Sequence, residues 1–239
     1  MALFGRVQLN HFHVCQVNQA FQVDRYTRTT ALFLAIDNDN IDLVMRLMLC
    51  EAGLHQTETQ GLTPLHAACF KPNTAILDYL LEYAFADHLN NNSNAQQQTP
   101  LHIAVQHSNV AAVKSLLAMQ ETSKNPEDAN MNMPLHIIAQ HQNDDLLAEF
   151  LRIPDCVAVQ LMHTNNAGLN PVHIAAQNDW ATGFRAMMHA VRQQPHGWSR
   201  VIDFLRVPEV EVQQRRVLHF AIMSAVNADS VALQVVQLL

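Results

Sequence analysis

Glycine is scarce in this chain, with 6 residues in 239, roughly a third of the usual share of about 7%. So few glycines provide no Gly-rich loop to cradle a phosphate, and neither H-E-x-x-H nor G-x-S-x-G occurs. The chemistry that depends on those motifs has no visible home here. The four cysteines, Cys15, Cys50, Cys69 and Cys156, are far apart and form no C-x-x-C pair, which points to free thiols in a reducing compartment rather than to disulfides or zinc. No apolar run approaches the ~18–20 residues of a membrane span, and the opening MALFGRVQLNHFH lacks the continuous apolar core of a secretory signal. Basic charge is also short: 14 Lys and Arg face 21 Asp and Glu, a formal net charge of −7. Neutralising a phosphate backbone requires the opposite balance. These absences together describe a soluble, cytoplasmic protein with no nucleic-acid partner, no membrane span and no cofactor.

What the chain does contain is apolar residues, 49% of the total, and 40 Asn and Gln. The first figure excludes disorder as the main state. The second means that polar contacts will be made largely by amides. Internal periodicity organises both. One tetrapeptide theme occurs six times, as TALF at 30–33, TPLH at 63–66, TPLH at 99–102, MPLH at 133–136, NPVH at 170–173 and RVLH at 216–219. Fourteen residues after each of the first five starts stands an apolar residue (Val44, Leu77, Val113, Leu147, Phe184). Two more follow at offsets 17 and 18, such as Leu80 with Leu81 and Leu116 with Leu117. The sixth copy regains this spacing at Val235, Leu238 and Leu239 only with about five inserted residues.

Each copy reads as two helices. Thr63, Thr99 and Asn170 are N-caps whose side-chain oxygen can accept an orphan N–H, and Pro64, Pro100, Pro134 and Pro171 suit the first helical turn. Ala68, Ala104 and Ala175 allow a neighbouring helix to approach closely. The turn that follows carries Asn40, Asn73, Asn109 and Asn143, and Asn tolerates the left-handed conformation that ends many helices. A second, amphipathic helix then carries the paired apolar residues. The polar stretches 87–98 and 123–132 are expected to be surface loops. A single helix pair cannot bury its apolar stripe, so the copies must stack on a shared core.

T-P-L-H-x-A at about 33-residue spacing with this L-L offset resembles the ankyrin repeat, over roughly residues 24–239. The resemblance implies an all-α solenoid of helix-turn-helix units joined by loop fingers, preceded by a capping segment at 1–23. Insertions at 82–98, 152–169 and 189–215 exceed the family norm, and in the last of them Trp198, Val201, Ile202 and Leu205 form a pattern for an extra short helix. The family's Gly before the first helix survives only as Gly61 and Gly168, and its inter-helix Gly-His is replaced by pairs such as Pro72-Asn73 and Ser108-Asn109.

Fourteen histidines invite a catalytic or metal reading, yet His66, His102, His136, His173 and His219 all hold the fourth tetrapeptide position. The resemblance assigns those imidazoles to hydrogen bonds between repeats. In an extended segment His11, His13 and Cys15 would share one face, but no fourth ligand stands nearby, and Phe12 and Val14 make the same segment a cover for the first repeat. Catalytic and metal-binding residues are therefore assigned to none.

The family's partners are held on loop tips and on first-helix positions seven and eight residues after the Thr. Mapped here, these are Asp37 and Asn38, Phe70 and Lys71, Gln106 and His107, Gln140 and His141, and Gln177 and Asn178. Leu62, Gln98, Asn132, Leu169 and Arg215 add the residues just before each cap. The resemblance thus implies a module that binds a polypeptide partner through its concave face. The amide-rich, glycine-poor, irregular repeats also resemble the ankyrin effectors that intracellular bacteria deliver into host cells, which would make the partner a host protein and the location host cytosol. The other expectation is a targeting domain of a longer chain whose enzymatic domain lies beyond residue 239.

Overall fold

The computed structural model describes residues 19, 21–22, 28–58, 60–91, 94–153 and 159–193. Two-residue strands, Phe21–Gln22 and Arg28–Thr29, pair antiparallel with Phe21 opposite Thr29. Five helix pairs follow: α1 (Ala31–Asp37) with α2 (Ile41–Leu49), α3 (Pro64–Cys69) with α4 (Ala75–Leu81), α6 (Pro100–Gln106) with α7 (Val110–Ala118), α8 (Pro134–His141) with α9 (Asp144–Leu151), and α10 (Pro171–Gln177) with α11 (Ala181–Gln193). A short helix, α5 (Ala86–Leu89), sits between the second and third pairs. The first helices stack on one another in order, and the second helices form a parallel outer stack. This is the all-α repeat solenoid that the tetrapeptide spacing implies.

The core runs between the two stacks. Leu65, Leu101, Leu135 and Val172 are fully buried, as are Leu77, Leu80, Val113, Leu116, Leu147 and Phe150. At ~1.5–3 kcal/mol per buried large aliphatic side chain, this continuous stripe supplies the stability that no single pair could. The alanines at the helix crossings, Ala68, Ala104 and Ala175, are buried as the close approach requires. The sixth tetrapeptide, the 198–205 pattern, the His11–Cys15 segment and Arg215 lie outside the described residues.

Three local expectations change. The inter-helix asparagines do not take the left-handed conformation. Asp39, Ser108 and Gln142, one residue earlier, do so with φ of 51°, 54° and 54°. Asn40, Asn109 and Asn143 instead cap the second helices, their side chains accepting from the N–H groups of Leu43, Ala112 and Leu146. A side-chain oxygen at the N-terminus satisfies an orphan donor, whereas the preceding residue merely reverses the chain. Asn73 stands one residue before the Thr74 cap and accepts instead from the N–H of Ala75, two residues on.

Nor are stretches 87–98 and 123–132 plain surface loops. His88, Leu89, Asn94, Asp128 and Asn132 are buried, because amides and carboxylates within the fingers hydrogen-bond one another and the adjacent finger. Asp128 accepts from the N–H groups of Asn130 and Asn132, and the N–H of Ala129 donates to the carbonyl of Gln96 in the finger before it.

Thr99, finally, does not accept a helix N–H; its hydroxyl lies 3.0 Å from Nδ1 of His102. Thr63 and Asn170 do accept, from the N–H groups of His66 and His173. At the fourth copy the cap is Met133, which has no oxygen to offer. The 152–169 insertion compensates: Gln160, fully buried, accepts the N–H of Leu135 through Oε1 at 2.8 Å and donates through Nε2 to the carbonyl of Lys124. Gln160→Ala should destabilise the protein by about 1–3 kcal/mol, and Met133→Thr in that background should recover part of the loss. Urea unfolding of the two variants reads both.

Two residues before the caps Thr63, Thr99, Met133 and Asn170 the chain turns left-handed. Gly61 and Gly168 do this at φ of 79° and 70°, but Gln97 and Met131 hold the same position at 52° and 57°. Side chains pay a steric penalty there that glycine does not. Gln97→Gly and Met131→Gly should each raise the unfolding free energy by about 0.5–1 kcal/mol. Gly168→Ala, where a Cβ would meet no atom within 4 Å, should lower it through backbone strain alone.

Candidate functional site

The imidazoles of the repeated tetrapeptide fix where the candidate surface lies. In His66, His102, His136 and His173, Nδ1 accepts the N–H of the residue at the helix cap, at 3.1–3.2 Å. The ring proton must then sit on Nε2. From there it is donated across the repeat boundary, by His66 to the carbonyl of Gln98, by His102 to that of Asn132 and by His136 to that of Leu169. The first helices α3, α6 and α8 are thereby each tied to the finger of the next repeat. His163, brought in by the insertion, donates from Nε2 to the carbonyl of Met131 and stands edge-on to His136.

These bridging rings are buried, and burial lowers their pKa. His66 and His136 are brought from 6.5 to about 4, chiefly by desolvation, and His102 is lowered by the same cause. The unfolded chain, with ordinary imidazoles, therefore binds more protons than the native state between pH about 4 and 6.5. Native stability is complete above that window and lost as pH falls through it, by about 3 kcal/mol each for His66 and His136. Urea midpoints at pH 7.5, 6.0 and 4.5 should decline steadily; a constant midpoint would mean that the rings are solvated. Cys69 is a buried free thiol whose pKa burial pushes up, and Cys50 is a half-buried free thiol.

The same bridges correct the loop-tip expectation. Gln98, Asn132 and Leu169, each just before a cap, present their carbonyls inward to an imidazole, so the chain there turns toward the core. Asn132 is buried, its Nδ2 donating to Asp128 and its Oδ1 accepting from Asn165. Leu62 and Leu169 are half-buried and pack on the hydrophobic core. The exposed finger residues lie earlier, at Gln96, Gln97, Asn130 and Met131. The signal for them was the position of Gly61 and Gly168, two residues before the cap rather than one.

The first-helix positions form a connected row. Lys71 donates to the carbonyl of Asp37 at 2.9 Å and lies 3.6 Å from its carboxylate, so the first rung is tied to the second. Phe70, 38% exposed, sets its ring against the imidazole of His107, with centroids 4.4 Å apart. Gln106 accepts from the side-chain amide of Gln98 at 3.0 Å, which joins finger to helix. The pKa of His107 is lowered by burial and then by the charge of His141 on the next rung. Gln140 and His141 are exposed, as are Asp37 and Asn38. Asn178 is drawn into the structure: its Nδ2 donates to the carbonyl of Ala139 and its own carbonyl accepts from Gln142. Gln177 is half-buried.

The structure thus gathers Phe70, Lys71, Gln106, His107, Gln140 and His141 into one surface and takes Leu62, Asn132, Leu169 and Asn178 largely out of it. Such a row offers an aromatic face, two imidazoles and amides that both donate and accept. Among the described residues no three His, Cys, Asp or Glu side chains converge on a possible metal position, and no helix is long and apolar enough to cross a membrane. Residues 32–128 match the family model described as Ankyrin repeats (3 copies). The two helix pairs that follow continue the same architecture. A search of curated proteins returned no match.

Proposed function

We propose that this chain, an ankyrin-repeat protein, binds a polypeptide through the exposed ends of its first helices, with Phe70, His107 and His141 at the centre. Ankyrin repeats are in general protein-interaction modules. The observation that carries the assignment of this face is the Phe70–His107 ring contact: a partly exposed aromatic is held in place at the meeting of two repeats. Aromatic residues fixed before binding lose little freedom on association and are over-represented among interface hot spots. Gln106, Gln140 and the finger residue Gln98, which is bonded to Gln106, flank that centre. The surface performs no chemistry. In keeping with the composition, the reading extends to an effector of an intracellular bacterium acting on a host protein in host cytosol.

Capture from a eukaryotic lysate tests this. A protein retained by the wild type should be lost from a variant in which Gln106, His107, Gln140 and His141 are all Ala, with far-UV circular dichroism unchanged. Equal capture would place the partner elsewhere. Because the pKa of His107 lies below its ordinary value of 6.5, the affinity for the captured partner should be flat above about pH 6.5 and change below it. His107→Asn should remove that change.

A further inference from the structure

We propose that the outward face of α2, continued by the turn after α4, is a second docking surface whose occupant is a basic amphipathic helix. This surface is separate from the first-helix row, because it lies on the outer stack.

Equivalent positions in the repeats reveal it. Fifteen and nineteen residues after each repeat start, the second helix faces outward, and the four later copies place Asp78 and Glu82, Lys114 and Ala118, Ala148 and Arg152, and Arg185 and His189 there, all exposed. The first copy places Met45 and Leu49 at these positions, 37% and 75% exposed. Residues four apart on a helix are neighbours on one face, so the two side chains form one apolar strip. The register that sets Asp78 beside Ser115 and Lys114 beside Glu149 on neighbouring outer helices turns Met45 and Leu49 toward Tyr79 and Tyr83 of the next copy, and the turn after α4 exposes two aromatic side chains. Tyr83 is 42% exposed and Phe85 71%.

These aromatics are held by structure beneath them. The Tyr79 and Tyr83 rings lie 5.4 Å apart with their hydroxyls at 3.3 Å. His88 accepts the N–H of Phe85 through Nδ1, packs against its ring and stacks on His55 at 3.9 Å. The turn is therefore preorganised, and it carries two of the large apolar groups exposed among the described residues. Contiguous exposed apolar surface with a polar rim is a mark of an interaction site.

The rim states what the partner must be. Asp42, Glu51, Asp78, Glu82 and Asp87 are exposed on these elements, and Arg46 is the one cationic side chain of α2 and α4. Asp78 also accepts the Ser115 hydroxyl, which leaves its charge in place. An apolar strip inside an acidic rim complements a helix whose Leu-like stripe is flanked by Lys and Arg. The Tyr83 and Phe85 faces can take those cations as well.

The test is a fluorescence-anisotropy titration of the full chain with a labelled 18-residue Leu/Lys amphipathic helix at near-physiological salt. Expected are saturable binding, at least tenfold weaker binding of a scrambled peptide of the same composition, and at least tenfold loss in the double variant Leu49→Ser with Phe85→Ser. Both substitutions are at exposed sites, so unchanged circular dichroism is expected. The fourfold alanine variant of the first-helix row should bind the peptide as the wild type does, which separates this surface from the one above. Equal affinity in the Leu49/Phe85 variant, or equal binding of a Leu/Glu helix, would overturn the proposal. So would a dimer in sedimentation velocity that the Leu49/Phe85 variant abolishes, since the occupant would then be a second copy. Peptide binding seen only after Phe12→Ser with Val14→Ser would overturn it too, assigning the face to the chain's own N-terminal segment.

Discussion

Each bridging imidazole has two nitrogens and two obligations. Nδ1 must accept from the helix cap and Nε2 must donate to the next finger, so the ring is held in one tautomer and one orientation. His66, His102 and His136 meet both obligations, and the rest of the solenoid follows from that. The bridge sets the spacing between first helices, which brings the apolar residues of the outer helices into register. It also turns the residue before each cap inward, which pushes the finger apex outward by one position or more. A solvent proton on any of these rings would leave it with two donors facing one carbonyl and one N–H. Burial lowers the pKa of these rings and so opposes this near neutrality, and the acid sensitivity expected of the fold is its consequence.

The repeat register was legible because it is written in residue types with strong local preferences: proline in the first helical turn, alanine where helices cross, paired aliphatic residues on the core face. The role of the histidines was legible only through the family resemblance, since a His at one position of a tetrapeptide does not by itself reveal what its two nitrogens touch. The asparagines were misassigned for a related reason. Asn suits both a left-handed turn and a helix cap, and sequence does not say which of two adjacent residues reverses the chain. The presence of Ser108 and Gln142 in the left-handed region shows that the turn can fall on residues with little preference for it.

Less legible still were contacts made by insertions. Gln160 lies 25 residues from the N–H it accepts, and nothing in its own neighbourhood marks it. The signal was an absence elsewhere: Met133 stands where a capping oxygen is expected, so some other acceptor had to reach that helix end. His88 had a weaker trace, three residues after Phe85 as the tetrapeptide His is three after its cap. The candidate binding row was legible as a set of positions, but its internal connections, Phe70 on His107 and Gln98 on Gln106, depend on side-chain directions that periodicity does not give. Asn178 and Asn132 were lost from the row because their amides found backbone or neighbouring-finger partners.

The two proposed surfaces differ in what they ask of stability. On the first-helix row, Lys71 and Gln106 already hydrogen-bond within the protein, so a partner that uses them must match or replace bonds that exist, and such contacts favour specificity over strength. The outer face of α2 is different. The later copies hold charged residues, histidine or alanine at the positions of Met45 and Leu49, and neither side chain is among those packed on the hydrophobic core. Helix stability therefore does not account for them, and exposed aliphatic groups carry an aggregation cost. Their position beside Tyr83 and Phe85, inside a rim of carboxylates, is explained when the face has an occupant. The rim then serves twice: it keeps the apolar strip from associating with other acidic copies of this chain, and it steers a basic helix toward it.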